Sequence, residues 1–298
     1  MKREATVKSV IKGRIERTLR KGIRFGRSIA RGSIEVKAIR LGTQAVARGT
    51  GRVGITDDAG YAKFSIGDLT VGDTSLPLLQ RLAQEWIATP ERHPTGKRFP
   101  LNVMQPEDLF TYPEILDVAL HDELLAAVCG YLGQAPRLFN IALWWTPPNE
   151  TLKGSQLYHY DHRDTRQAKL FLNLNDVGPE SGPLHFLPAR MSDRVNANVG
   201  YSQDRYTDEE VFAAVQPGDV VRTMGPAGSA FLVDTARCLH FGSRGNKYDR
   251  LLLMVSFARA NGVDGGPSCP VLDPVRERLA SERYGMDELR RFILTVAK

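Results

Sequence analysis

The chain has 298 residues, of which 42% are hydrophobic and 25% are charged, and its formal net charge is +6. This composition is that of a globular protein with room for one large domain or at most two. Cys129, Cys238 and Cys269 are too few for a disulfide framework and lack the spacing of a zinc site. No apolar run is long enough to cross a bilayer, and no signal-peptide core is present. We therefore expect a soluble protein of a reducing compartment, the cytoplasm.

Positive charge is concentrated at the amino end. Residues 1–52 hold 15 Lys or Arg and three acidic residues, whereas residues 53–298 hold 25 basic and 31 acidic residues. Within this basic arm an apolar residue recurs at every fourth position, which predicts one face of a helix: Val7, Ile11, Ile15, Leu19 and Ile23. Such a helix can lie on an anionic membrane or contact nucleic acid, and a solvated extension or a cleaved transit segment could have the same composition.

We take residues 1–55 as a basic, partly helical arm with a glycine-rich linker, and residues 56–298 as one domain. Peripheral attachment to an anionic membrane through residues 1–52 is left open, and nucleic acid is not the expected partner. The sequence does not predict an oligomeric state.

The domain begins with a mostly helical pattern that extends to about residue 135. Leu76 to Ile87 is periodic, and Pro113 opens a longer helical segment that stops at Gly133. From about residue 137, short apolar runs separated by turn residues predict the strands of a sandwich or barrel: Leu138 to Thr146, Lys169 to Leu174, Leu184 to Leu187, Asp219 to Thr223, Ala230 to Val233 and Leu251 to Phe257. Two helical stretches follow Pro274.

A His-x-Asp pair carries the strongest chemical signal. On an extended strand the side chains of His159 and Asp161 point to the same face. With His240, which follows Asp161 by 79 residues, they would form the two-His-one-carboxylate triad of non-haem Fe(II) oxygenases. Arg250 could bind the far carboxylate of 2-oxoglutarate through two parallel charge-assisted hydrogen bonds, and Arg244 is the competing candidate.

A second His-x-Asp pair, His162 and Asp164, follows three residues later. An odd shift turns it to the other face of a straight strand, so the two pairs cannot both point into one site. We favour His159 and Asp161 as the ligands, which leaves His162 at the mouth of the site or on the surface.

The predicted strand that begins at Lys169 alternates cleanly. One face carries only leucines and should pack under helices, whereas the other carries Lys169, Phe171 and Asn173. Such a face suits the lining of a polar cavity, so we expect these three residues to approach the co-substrate. A strand with one solvated face is the alternative.

Several ordered motifs between about residues 100 and 260 resemble the phytanoyl-CoA dioxygenase family: Tyr131-Leu132-Gly133, Tyr158-His159-Tyr160-Asp161, Glu180-Ser181-Gly182-Pro183-Leu184, and Gly225 to Ser229 leading to Val233-Asp234-Thr235 and His240. The resemblance implies a mainly β fold with flanking helices and a double-stranded β-helix (jelly-roll or cupin-like) core. It also implies Fe(II), 2-oxoglutarate and O2 as cofactor and co-substrates. The implied reaction hydroxylates a small-molecule or carrier-bound substrate and releases succinate and CO2. One departure is Ala189-Arg190-Met191, where the family often has Gly-Ser-His.

The resemblance does not identify the substrate. Arg163 and Arg166 beside the ligands hint at an anionic or polyhydroxylated molecule, and the polar insert from Met191 to Val215 could serve as a lid. Two other classes stay open. One is a non-catalytic jelly roll tethered to a membrane or polyanion by the arm, and the other is a cupin-like metalloenzyme that does not use 2-oxoglutarate.

Overall fold

The computed structural model describes residues 32–94, 100–152, 154–201, 205–260 and 269–296. In these residues nine strands form two antiparallel sheets: β1 Tyr61–Ser65, β2 Leu101–Asn102, β3 Pro136–Thr146, β4 Gln167–Asn173, β5 His185–Phe186, β6 Val221–Arg222, β7 Ser229–Val233, β8 His240–Phe241 and β9 Arg250–Arg259. The larger sheet has the order β1-β7-β4-β9-β3-β2 and the smaller one β6-β5-β8. No closed barrel forms among these strands.

Helices cover one face of the larger sheet. They are α1 over residues 32–48, α2 Gly72–Ile87, α3 Asp108–Thr111, α4 Glu114–Ala119, α5 Asp122–Leu132, α8 Arg276–Glu282 and α9 Glu288–Thr295. Two further helices, α6 Ala189–Val199 and α7 Asp208–Phe212, pack in a separate apolar cluster with β8 of the smaller sheet. The leucines of β4 belong to the main hydrophobic core together with residues of α2 and α5, as expected from their alternation. The expected fold class, mainly β with flanking helices, is confirmed.

The long helix predicted from Pro113 to Gly133 is two helices, so that prediction was wrong in one respect. The chain breaks between α4 and α5, where His121 is extended and its imidazole accepts a hydrogen bond from the backbone N–H of Glu123. This side chain caps α5, and an N-cap begins a new helix even within a periodic apolar pattern. Gly133 ends α5 with a φ of 72°, as expected for a left-handed C-cap.

A strand lies where helices were expected. β1 pairs with β7 in the register Tyr61 to Val233, across more than half of the chain. The pairing depends on a partner that is distant in sequence, so local periodicity does not reveal it.

The carboxyl half of the predicted arm packs against the body. In α1, Leu41 is buried in the main core and the Ala38 carbonyl accepts a hydrogen bond from the Ala135 N–H at 2.8 Å. The glycine-rich linker is also attached, because the Glu123 carboxylate accepts the Thr50 N–H at 2.6 Å. The division at residue 55 stays a prediction, and these contacts favour an arm that ends before α1. The apolar stripe from Val7 to Ile23 lies outside the described residues.

Within the described ranges, no helix combines the length and apolar character that crossing a bilayer requires.

Candidate active site

A cavity of about 1040 Å³ lies between the two sheets. The larger sheet contributes the inward side chains of β3, β4 and β9, among them Trp144, Phe171 and Met254. The smaller sheet and its flanking segments contribute His159 and His240. The cavity therefore exists because β4 and β9 turn their leucine-rich faces to the helices and their mixed faces inward.

Three metal-ligating side chains meet in this cavity. His159 and His240 form an antiparallel bridge, with hydrogen bonds of 2.9 and 3.1 Å between their backbones, and their ring centroids are 4.3 Å apart. Asp161 lies two residues further on the same extended segment, and its Oδ2 is 3.5 Å from His240 Nε2. One ligand atom from each of the three lies within 4.8 Å of the others. The structure thus brings together the predicted triad.

Backbone carbonyls orient both imidazoles. His159 Nδ1 lies 2.8 Å from the Leu157 carbonyl, and His240 Nδ1 lies 2.9 Å from the Cys238 carbonyl. A carbonyl only accepts, so each Nδ1 carries the proton and donates it, which leaves the Nε2 lone pair for a metal. This outer hydrogen bond is typical of metal-binding histidines.

The protonation states also suit metal binding. Burial lowers the pKa of His159 and brings that of His240 to about 3, which keeps both rings neutral near pH 7. Burial alone would raise the pKa of Asp161, but Lys169 and His240 outweigh it and hold that pKa well below its usual range. The Lys169 ammonium contacts Asp161 Oδ2 at 2.6 Å.

Two residues that sequence reasoning missed support the carboxylate. The Asp161 N–H donates to the Thr235 carbonyl at 2.9 Å, and the Thr235 hydroxyl is a hydrogen-bond partner of the Asp161 carboxylate. Gln167 in turn donates to the Thr235 hydroxyl at 2.8 Å. Their spacing in sequence carries no motif, because the contact depends on β4 and the loop after β7 lying side by side.

The second His-x-Asp pair is engaged elsewhere. Asp164 is buried and accepts hydrogen bonds from the Arg259 guanidinium, and its shortest contact is 2.5 Å. His162 is exposed and lies 3.2 Å from the Tyr201 hydroxyl. Neither residue belongs to the metal-ligating cluster found among the described residues.

Arg250 lines the same cavity and is only 7% exposed. Its Nη2 donates to the Ser243 hydroxyl at 2.8 Å, while its Nε is buried without a hydrogen-bond partner in the described structure. Burial lowers the pKa of this guanidinium to about 10, so it remains charged at neutral pH. Ser243 has a φ of 61°, an uncommon conformation for a residue other than glycine and one that clusters at functional sites. A buried cation with unused donors is a site for an anion.

Arg244, the competing candidate, already has a carboxylate. Its Nη1 donates to both oxygens of Asp208 at 2.8 and 2.7 Å, and its guanidinium carbon lies 3.6 Å from the centroid of the Phe241 ring. It does not line the cavity among the described residues.

The predicted inward face of β4 is divided. Lys169 and Phe171 line the cavity, whereas Asn173 lies outside its wall and donates to the Thr223 carbonyl at 3.1 Å. Alternation along a strand predicts which face a residue occupies, but it does not predict where along the strand the cavity ends.

Comparison with solved structures agrees with the fold. EctD from S. alaskensis in its apo form is 18% identical, with 74% of this chain and 82% of that chain covered and a TM-score of 0.51. The same protein with bound Fe gives 19% identity, 73% and 82% coverage and a TM-score of 0.50. SnoK, a non-haem alpha ketoglutarate dependent carbocyclase from nogalamycin biosynthesis, gives 16% identity, 77% and 87% coverage and a TM-score of 0.50.

No protein-family model and no curated protein matches the sequence. The structural matches show that the chain shares the jelly-roll fold of EctD and SnoK, and its cavity holds a His-Asp-His cluster. The narrower resemblance to the phytanoyl-CoA dioxygenase family is not confirmed by these matches.

Proposed function

We propose that this protein is an Fe(II)- and 2-oxoglutarate-dependent oxygenase that hydroxylates a small-molecule or carrier-bound substrate. One observation carries the proposal: a single cavity holds both a His-Asp-His cluster and a buried guanidinium that no carboxylate neutralises among the described residues. Two imidazoles and one carboxylate are the donor set typical of non-haem Fe(II). The guanidinium suits the far end of a dicarboxylate co-substrate.

Each residue of this arrangement has a separate task. His159, Asp161 and His240 would hold the metal, and Arg250 with Ser243 would bind the far carboxylate of 2-oxoglutarate. When bound with O2, iron and 2-oxoglutarate supply the oxidation of a substrate carbon, coupled to release of succinate and CO2. The protein's contribution is to fix the geometry of the ligands and of the co-substrate.

We assign Lys169 and Phe171 to the wall that the co-substrate contacts. The Lys169 ammonium keeps Asp161 ionised through a 2.6 Å contact, and a bound metal would take over that neutralising role. The ammonium could then bind an anionic oxygen of the co-substrate. Asn173 stays the weakest of the predicted contacts, because its amide is bonded to the Thr223 carbonyl.

Titration of 2-oxoglutarate into the full-length protein, with and without Mn(II), tests the proposal by calorimetry. We expect binding that requires the metal, since the 2-oxo acid end needs a metal to chelate. Metal binding without 2-oxoglutarate binding would instead favour the cupin-like metalloenzyme. If neither ligand binds, the non-catalytic jelly roll is the better description.

Within this fold, we also propose that the chain is a divergent member of the phytanoyl-CoA dioxygenase family. The ordered motifs around Tyr158, Gly182 and Gly225 support the proposal. An aromatic residue before the first histidine and an arginine ten residues after the second agree with that family's pattern.

The basic arm is a second functional region, and we propose that it attaches the protein to an anionic bilayer. A described extension of the arm supports this: the solvent-facing side of α1 carries Val36, Ile39 and Val46, which are 70%, 47% and 46% exposed. Exposed apolar side chains on a helix that follows a strongly basic segment suit an interfacial position better than bulk water.

Vesicle sedimentation with phosphatidylglycerol and phosphatidylcholine tests the attachment. Deleting residues 1–31 should weaken binding to the anionic vesicles, most at low salt where charges are least screened, and should leave the fold intact. Deleting residues 1–52 should also lower stability, because it removes Leu41 and the Thr50 contact from the body. Equal binding of full-length and shortened protein to both lipids would contradict the proposal.

A further inference from the structure

Two arginines near the triad lack an acidic partner. Arg166 close by forms an ion pair with Asp57 at 2.9 Å. In contrast, Arg163 and Arg205 form no ion pair within the part of the chain that the structure describes. An arginine near the metal-ligating side chains that pairs with no described carboxylate has guanidinium donors available to a ligand.

Arg163 lies near an irregularity in β3. Its guanidinium carbon lies 5.6 Å from the centroid of the Phe139 ring. Leu138 and Asn140 pair with consecutive residues of β9, so Phe139 is the extra residue of a β-bulge. Bulges re-aim side chains and are frequent beside active sites. Arg163 follows Asp161 by two residues and the charge of Asp161 acts on it, so this aromatic and cationic pair lies near the triad, outside the wall of the cavity.

Arg205 reaches the same region from another segment. The next residue, Tyr206, donates its N–H to the carbonyl of Tyr158 at 2.9 Å in an antiparallel bridge. This pairing sets Arg205 opposite His159, and side chains directly opposite each other share a face. Burial is the main cause of the lowered pKa of His159, and the charge of Arg205 lowers it further.

The formal charges around the site indicate the kind of ligand that these two arginines would bind. The cavity wall carries two cations, Lys169 and Arg250, and two carboxylates, Asp161 and Glu150, so its formal charges sum to zero although no described carboxylate pairs with Arg250. A divalent metal and a doubly ionised 2-oxoglutarate would also balance each other. The two unpaired arginines then leave an excess of positive charge beside an otherwise neutral centre, and clefts of one sign attract ligands of the other.

Building on the proposed oxygenase function, we propose that the substrate is an organic anion whose carboxylate or phosphate is bound by Arg163 and Arg205 beside the triad. Both anions match the fork of guanidinium donors. Phe139 would pack against the carbon skeleton of the substrate. The two arginines would therefore select the substrate and orient its carbon atoms towards the metal site.

Nuclear relaxation by Mn(II) tests this binding site even when affinity is weak. The full-length protein, loaded with Mn(II) and 2-oxoglutarate, is titrated with phenyl phosphate, benzoate or uncharged benzyl alcohol. The phosphorus or ring-proton relaxation rate then reports the probe held near the metal. Arg163→Gln and Arg205→Gln are compared with Arg81→Gln, which removes the same charge from an exposed position 4.0 Å from Glu85.

We expect at least one anionic probe to bind more tightly than benzyl alcohol, and each of the two variants to lower its affinity about tenfold, as loss of one charge-assisted contact predicts. Arg81→Gln should bind as the unchanged protein does. Stronger binding of phenyl phosphate or of benzoate would identify the anion. Equal binding of all probes, or equal loss in all three variants, would overturn the proposal. Calorimetry of 2-oxoglutarate on the same samples separates this result from failure of the oxygenase function, which would abolish co-substrate binding in every sample.

Discussion

The two His-x-Asp segments share a sequence pattern, but they differ in their burial and in the side chains that contact them. His159 and Asp161 face a cavity, and their polar atoms converge within 4.8 Å of a ligand atom of His240. Three residues later, His162 is exposed and Asp164 is buried against an arginine. The same residue types thus contribute to a cluster that could hold a metal in one register and to an ion pair in the next. Their surroundings decide the chemistry.

The partners of the two aspartates explain this difference. Asp161 contacts a lysine on β4, in the wall of the cavity, where a metal can replace its charge. Asp164 accepts several hydrogen bonds from the Arg259 side chain and also the Arg259 N–H at 3.1 Å. The Asp164 carboxylate therefore links β9 to the segment that follows Asp161.

Substituting the triad should have the largest effect on metal binding. His159→Ala, Asp161→Ala or His240→Ala removes one of the three proposed protein ligands, so affinity for Mn(II) should fall by more than the roughly 10–100-fold loss typical of outer-shell changes. His162→Ala is the matched control and should bind the metal normally. Calorimetry of each variant measures the comparison, and metal loss in His162→Ala alone would mean that the ligands lie three residues further on.

Substituting the second aspartate should change stability instead. Asp164→Asn removes the charge that accepts the hydrogen bonds of the partly exposed Arg259 guanidinium, so the free energy of unfolding should fall by about 1.5–3 kcal/mol. Metal affinity should be unchanged. Urea unfolding and Mn(II) titration of the same preparation provide both quantities. A variant of normal stability that fails to bind the metal would reverse the roles assigned to the two segments.

The two arginines that follow His240 allow a parallel comparison. Arg250→Ala should lower the affinity for 2-oxoglutarate by roughly 10- to 150-fold, the equivalent of a lost hydrogen bond to a charged group worth about 1.5–3 kcal/mol. Metal binding should persist, because Arg250 is not a ligand. Arg244→Ala should affect co-substrate affinity much less, since its guanidinium is paired with Asp208. The opposite order of losses in a 2-oxoglutarate titration would exchange the two assignments.

A smaller effect concerns pH. Because burial brings the pKa of His240 to about 3, this ring remains neutral as the pH falls from 8 to 6, and burial shifts the pKa of His159 in the same direction. Metal binding then displaces no proton from the His240 ring, and Mn(II) affinity should fall less across this range than it would with two ordinary imidazoles. Two imidazoles with the ordinary pKa of about 6.5 would protonate and weaken binding steadily below that pH. Such a decline in an Mn(II) titration series would show that the rings are not held neutral.

Sequence reasoning predicted the parts of this molecule whose signals are local. The strand that begins at Lys169, the triad and the arginine after His240 follow from alternation, spacing and residue chemistry, and the structure brings them into one cavity. The helical cover of the large sheet also follows from apolar periodicity. In each case the residues that carry the signal lie within one element or in a known order.

Most of what escaped prediction depends on contacts between distant segments, and the rest depends on backbone geometry at single residues. β1 exists because Tyr61 pairs with Val233, and the support of Asp161 by Thr235 requires two loops to meet. Ser243 beside Arg250 is marked by a positive φ, which residue type does not reveal. The capping role of His121 divides a continuous apolar pattern that periodicity reads as one helix.

Conversion of 2-oxoglutarate to succinate by the purified full-length protein tests the central claim most directly. The reaction contains Fe(II), ascorbate and O2, and His240→Ala serves as the matched control. We predict slow succinate release without added substrate by the unchanged protein and none above background by the variant, because the variant lacks a metal ligand. Succinate release that is no higher in the unchanged protein than in His240→Ala, even with anionic candidate substrates present, would contradict the assignment of this cavity as an oxygenase active site.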